Sequence, residues 1–167
     1  MLIVILFIAM FSPETAEAGL RKPAGCDFFT RANAEKILGS EVTWTGTDAS
    51  GSDPKKWTCT FVSKTEADGP KVHFGLIKFG SEQAARDDFD SIVRSNTELK
   101  GFEKWSGIGD DAIVHTDGPN FQLIVVRRGQ RSFRIKVNPA GSTSIEDVKF
   151  VARELLRKMT ELDGGRS

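Results

Sequence analysis

The chain has 167 residues, 23 of them basic and 23 acidic, with 12 phenylalanines, 3 tryptophans, 2 histidines, 2 cysteines and no tyrosine. A formal charge of zero excludes a global electrostatic attraction to nucleic acid or to acidic membranes. The length suits a single domain with an adequate core, and aromatic rings without a polar tip favour packing over a polar, aromatic-lined site.

The chain opens on an unbroken apolar run from Leu2 to Phe11, continues through a polar stretch from Ser12, and reaches Ala16-Glu17-Ala18. A short hydrophobic core followed by small residues three and one before a cut is the layout of a secretory signal peptide. A bilayer-spanning helix needs about 20 apolar residues, whereas this run stops at Ser12-Pro13-Glu14. It lacks the usual preceding Lys or Arg. The expectation is a signal peptide over 1–18 and a short linker over 19–25, with export to the periplasm or the exterior. The exported part then carries 23 basic and 21 acidic residues, a net +2. Ala24-Gly25-Cys26 offers the small residues that precede a lipid-modified cysteine. However, Glu14, Glu17, Arg21 and Lys22 separate Cys26 from the apolar run, and Pro23 stands where Leu is expected, so membrane anchoring is not expected.

Given export, Cys26 and Cys59 read as one disulfide, because oxidising compartments preserve such bonds and the count is even. In the chain-entropy model a loop of this length contributes about 3–4 kcal/mol. A metal reading fails for lack of a second cysteine pair or a nearby histidine pair, and there is no Cys-x-x-Cys motif.

Thr30 is positioned to cap a short helix in which Ala32, Ala34, Ile37 and Leu38 form the apolar side and Gly39 ends it. Strands are expected over Val42–Thr47, Trp57–Ser63 and Val72–Phe79, with turns at 49–54 and 66–70. Ser81 opens a second helix whose stripe is Ala85, Phe89, Ile92 and Val93, leaving Arg86, Asp87, Asp88 and Asp90 on faces read as solvated. Phe102–Trp105 offers a short, weakly patterned strand, Asp111–Thr116 a clearer one, and Phe121–Arg128 with Arg131–Asn138 a hairpin turning at Gly129-Gln130. Phe133, Ile135 and Val137 share one face, read as core, and Ser132, Arg134, Lys136 and Asn138 the other, read as wet. Thr143-Ser144-Ile145-Glu146 has a capping-box pattern, followed by a stripe of Ile145, Val148, Val151, Ala152, Leu155, Met159 and Leu162, with Gly164-Gly165 as its end. The fold class expected is α+β, a mostly antiparallel sheet of about six strands with helices packed on it, in the order helix, strands, helix, strands, helix. One such domain is expected over 26–163, with a disordered tail over 164–167. The two halves share this plan without residue-by-residue identity.

The densest polar motif is Ser106-Gly107-Ile108-Gly109-Asp110-Asp111-Ala112. Its glycines permit a tight turn or a close backbone approach, and its carboxylates suit a cation. It lacks the Lys-Ser/Thr of a Walker loop and the third glycine of a dinucleotide fingerprint; an apolar strand follows, so a structural turn is the first reading. His73 and His115 each fall in a strand, and a metal site or a general base would need them convergent with carboxylates such as Asp110, Asp111 or Asp117. No serine sits in a nucleophile-elbow context. Arg127, Arg134 and Lys136 share the wet face of the hairpin, and Arg128 and Arg131 flank its turn. Such a cluster can hold an anionic partner or keep a sheet edge soluble. The candidate ligand or partner contacts are thus Gly107, Gly109, Asp110, Asp111, Arg127, Arg131 and Arg134. No catalytic, cofactor-binding or metal-binding residue is assigned, and no cofactor is implied.

The succession Cys26-Asp27-Phe28-Phe29-Thr30, Ala34-Glu35-Lys36-Ile37-Leu38-Gly39, Cys59-Thr60-Phe61 and Gly107-Ile108-Gly109-Asp110-Asp111-Ala112 resembles small exported bacterial proteins and lipoproteins of a domain-of-unknown-function family. The resemblance implies a two-layer α+β fold similar to PsbP-like domains, with the cysteines bridged, and it carries over no catalytic residue. The functional expectation is an exported, non-catalytic domain that binds a partner protein or small ligand in the cell envelope. The alternatives are a hydrolase using His73 or His115 with carboxylates, and a lipid-anchored envelope interaction module.

Overall fold

The computed structural model describes residues 25–46, 55–65, 69–141 and 143–164. The expected signal peptide, all but the last residue of the expected linker, the turn over 49–54 and residues 165–167 lie outside the described residues. The elements are α1 (Gly25–Phe28), α2 (Arg31–Leu38), β1 (Val42–Gly46), β2 (Lys56–Ser63), β3 (Lys71–Lys78), α3 (Glu82–Asn96), β4 (Phe102–Lys104), β5 (Asp111–Asp117), β6 (Phe121–Arg128), β7 (Arg131–Asn138) and α4 (Ile145–Gly164). The class is α+β as expected, with seven strands rather than about six.

Local signals account for the element ends. The Thr30 hydroxyl accepts from the Asn33 N–H, and the Asn33 side chain accepts from the Thr30 N–H, a reciprocal cap that satisfies two otherwise orphaned donors. Gly39 closes the same helix at φ 64°, a left-handed conformation that glycine adopts without steric cost. On its exposed side the Arg31 guanidinium donates to Glu35 at 2.8 Å and holds that carboxyl below its ordinary value. At α4 the cap is displaced by one residue from expectation: Ser144 Oγ accepts from the Glu146 N–H, while the Thr143 carbonyl accepts from Gln122 Nε2 at 2.7 Å. Glu146 turns to Lys149 at 3.0 Å instead of reaching back.

The sheet order is β1-β2-β3-β7-β6-β5-β4, with every neighbouring pair antiparallel. Two meanders, β1–β3 and β4–β7, therefore meet at the β3–β7 pair. α3 carries the chain from the middle of the sheet to its far edge, which explains how two similar halves form one continuous sheet.

One sheet face builds the main core. Phe61, Phe74, Ile124, Val126, Phe133, Ile135 and Val137 meet α1, α2 and α4 through Cys26, Phe29, Ile37, Val151, Leu155 and Met159, all buried. Phe29 stacks on Phe74 at 4.8 Å between centroids, and Phe74 contacts Phe133 at 6.3 Å. Truncating such a buried ring costs about 3–5 kcal/mol. The Cys26–Cys59 disulfide ties α1 to β2 with 5.7 Å between Cα atoms.

The opposite face is not simply wet. α3 lies across β5, β6 and β7, and Phe89, Ile92 and Val93 pack on Phe102, Ile113, Leu123 and Val125 to form a second, smaller core. Helices therefore occupy both faces, where the resemblance implied two layers. Ser132 and Arg127, expected in water, are 1 % and 2 % exposed. Asp88, expected on a solvated helix face, is half-buried and bonds Arg134 at 2.7 Å.

Candidate functional site

Most of the candidate contacts converge at one end of β5 and β6. Asp110 donates its N–H to the Arg127 carbonyl at 2.9 Å, and its carboxylate accepts from the Gly129 N–H at 2.7 Å. Arg127 Nε and Nη2 reach Asp111 Oδ2 at 2.8 and 2.6 Å, and Nη1 lies 3.2 Å from Asp110 Oδ2. Arg127 Nη1 also donates to the Gly129 carbonyl at 3.2 Å. The chain's only buried arginine in the described core thus spends its donors on the glycine-aspartate turn and the hairpin turn, buckling one to the other. Gly109 permits this at φ 62°, because a Cβ there would stand 2.5 Å from the Arg127 carbonyl oxygen.

An open depression of about 510 Å³ lies beside this network, lined by Glu82, Arg86, Asp110, Asp111, Arg127 and Arg128 among others. Its charges largely answer one another, since Arg86 also approaches Glu82 at 3.5 Å. Among the described residues no group of three His, Cys, Asp or Glu side chains could hold a metal ion. Arg131 stands apart, at the start of β7 opposite Arg128 and Lys78.

Gly107 and Gly109 line a smaller concavity of about 220 Å³ with Asp110 and Asp111, and Arg134 faces a third. α3 covers the sheet over β5–β7, and a groove of about 340 Å³ runs beside it over β2 and β3. The strand register sets its lining: Thr60, His73, Lys136 and Leu123 follow one another across the sheet, then Thr58, Gly75, Arg134 and Val125, then Lys56 and Ile77. Ile92 of α3 forms part of the far wall. At the centre Gly75 contributes no side chain, and a Cβ built there would meet only Thr58 Cγ2, at 3.9 Å. The depth of the groove comes from this position. Glycine inside a strand is unfavourable by about 0.5–1 kcal/mol relative to alanine, and often marks close approach by a ligand or another backbone.

Among the described residues Lys56, His73, Arg134 and Lys136 line the groove and no Asp or Glu does. Arg134 is paired through Nη2 with Asp88 of α3, leaving its buried Nε without a hydrogen-bond partner. Lys136 is exposed, with Nζ 5.4 Å from the Phe121 ring centre. Lys56 is exposed at the start of β2.

The histidines share this sheet face but do not meet. His73, Lys136, Leu123 and His115 are successive neighbours across four strands, a span of about 14 Å at the usual strand spacing. His73 Nδ1 lies 3.0 Å from Thr60 Oγ1, and the buried His115 places Nδ1 3.2 Å from Asn96 Oδ1, with the Phe121 ring edge-on at 5.0 Å.

No family model, curated protein or solved structure matches the chain.

The groove was missed by reasoning from motifs, although one signal for it is present in the sequence. Gly75 interrupts the apolar strand Val72-His73-Phe74-Gly75-Leu76-Ile77, with no turn residue beside it. An isolated glycine inside a strand pattern suggests a bulge or a close approach; β3 pairs in unbroken register on both sides, which leaves the close approach.

Proposed function

We propose that the chain is an exported, non-catalytic binding domain that holds a small molecule in the groove over Gly75. The carrying observation is the open strand glycine at the floor of a concavity whose rim is polar and whose walls are apolar. A volume near 340 Å³ falls in the range of small-molecule sites. Export is supported by the disulfide, which oxidising compartments preserve, and by the N-terminal apolar run. None of the described helices is long and apolar enough to cross a membrane. We place the domain with the small exported proteins that its cysteine, Leu-Gly and Gly-x-Gly-Asp motifs resemble.

The test uses the uncharged dye N-phenyl-1-naphthylamine, whose fluorescence rises in apolar surroundings. The native domain is expected to bind it saturably at one site, and Gly75→Val, which fills the groove, is expected to lose that site while keeping the circular dichroism of the fold. Equal binding by both proteins, or no saturable binding by the native domain, overturns the proposal.

A further inference from the structure

We infer that the ligand of this groove is a small amphipathic organic anion, a carboxylate or sulfonate attached to an apolar body; the inference rests on the groove being the binding site. The apolar body is specified by Ile77, Ile92, Leu123 and Val125, which line the concavity together with the bare Gly75 backbone. The charge is specified by the imbalance of the rim. In a chain with equal numbers of acidic and basic residues, every charged side chain that lines this groove among the described residues is basic. Lys56 and Lys136 stand toward opposite ends of it, on β2 and β7 with β3 between them. Neither makes an ion pair among the described residues, in contrast to Arg127, whose charge is matched by Asp110 and Asp111.

Desolvation argues in the same direction. An anion that enters a partly apolar concavity exchanges water for lysine ammonium groups, and charge-assisted hydrogen bonds are the strong ones. A neutral molecule of the same shape gains the apolar contact alone, and a cation meets like charge. His73 lies beside Lys136 and Thr60 in the register.

The experiment compares 1-anilinonaphthalene-8-sulfonate with N-phenyl-1-naphthylamine, which has the same aromatic body without the sulfonate. The native domain is expected to bind the sulfonate about tenfold more tightly, the equivalent of one or two charge-assisted contacts. Lys56→Gln/Lys136→Gln is expected to erase that preference while leaving affinity for the neutral dye within about twofold, and Gly75→Val to weaken both dyes. Added salt should reduce the preference in the native domain only. Equal affinity of the native domain for the two dyes, or a sulfonate preference that survives in Lys56→Gln/Lys136→Gln, overturns the anion assignment and leaves the groove as a site for neutral ligands. If Gly75→Val binds both dyes as the native domain does, the groove itself is not the site and both readings fall.

Discussion

Asp110 and Arg127 hold each other twice, once through the backbone at 2.9 Å from N–H to carbonyl and once through their side chains at 3.2 Å. The double hold makes the Gly-x-Gly-Asp-Asp turn a clasp between β5 and the β6–β7 hairpin. Its two glycines serve it differently. Gly107 has φ 77° with nothing within 4 Å of an added Cβ, whereas Gly109 combines φ 62° with the Arg127 carbonyl in the way.

Gly107→Ala should therefore cost about 1–2 kcal/mol, the left-handed conformational term alone. Gly109→Ala adds a steric displacement of the β6 backbone and should cost about 2–5 kcal/mol in total. Equilibrium urea unfolding measures both. Equal losses at the two positions would mean that the clasp does not depend on close approach of the Gly109 backbone to Arg127.

The ion pairs at Arg127 make an asymmetric prediction. Its side chain is 2 % exposed while that of Asp111 is 41 % exposed, and removing Asp111 takes away the carboxylate that accepts from Nε and Nη2, leaving Asp110 at 3.2 Å as the nearest charge partner of the buried cation. Breaking a buried pair outright costs about 3–5 kcal/mol, and the surviving Asp110 contact places Asp111→Ala below that range, at about 2 kcal/mol. Asp110 and Asp111 are each 41 % exposed, so water solvates them once the cation is gone, and Arg127→Met should change stability by only about 1 kcal/mol. A loss in Arg127→Met as large as that in Asp111→Ala would show that the turn requires the cation itself and not only the pairing of its buried donors.

What the sequence disclosed and what it concealed follow from how far each signal reaches. The ends of α2, the start of α3 at Ser81 and the hairpin turn at Gly129-Gln130 flanked by Arg128 and Arg131 rest on neighbours in sequence, and they appear as read. The wet face expected of the hairpin holds for Lys136 and Asn138, which are exposed, and fails for Ser132 and Arg127, which are buried on the face where α3 lies. Alternation along a strand reports two faces but not which distant helix covers the second. The same limit separated Arg127 from Arg134: both lie on one face, yet Asp111 takes the first into a buried network and Asp88 takes the second to the groove. Gly75 carried a local signal, but its meaning required the flanking strands and the edge of α3.

The disulfide joins residues 33 apart and fastens α1, a helix of only four residues, to β2. Reduction should lower stability by about 3–4 kcal/mol, which for a domain of this size is a fall in Tm of about 10 °C. Phe29 and its stack on Phe74 lie on the same core face, so the reduced domain should unfold earlier but remain cooperative. Differential scanning calorimetry with and without dithiothreitol decides the matter, and an unchanged Tm would remove the bridge from the stabilising interactions.

Gly75 should separate stability from binding. In an interior strand, valine at this position regains the conformational and packing terms that glycine forgoes, and its Cβ meets Thr58 Cγ2 at an ordinary 3.9 Å. Gly75→Val is therefore expected to raise unfolding free energy by about 1 kcal/mol and Tm by about 3 °C in the absence of ligand. Saturating 1-anilinonaphthalene-8-sulfonate should then invert the ranking. Ligand at about 100 times its Kd stabilises the binding-competent native domain by about 2.7 kcal/mol and the filled variant hardly at all. Thermal unfolding of both proteins with and without the dye measures the crossing. A lower Tm for Gly75→Val without dye would show that the strand position is not open, and parallel shifts of both proteins with dye would show that the dye binds elsewhere.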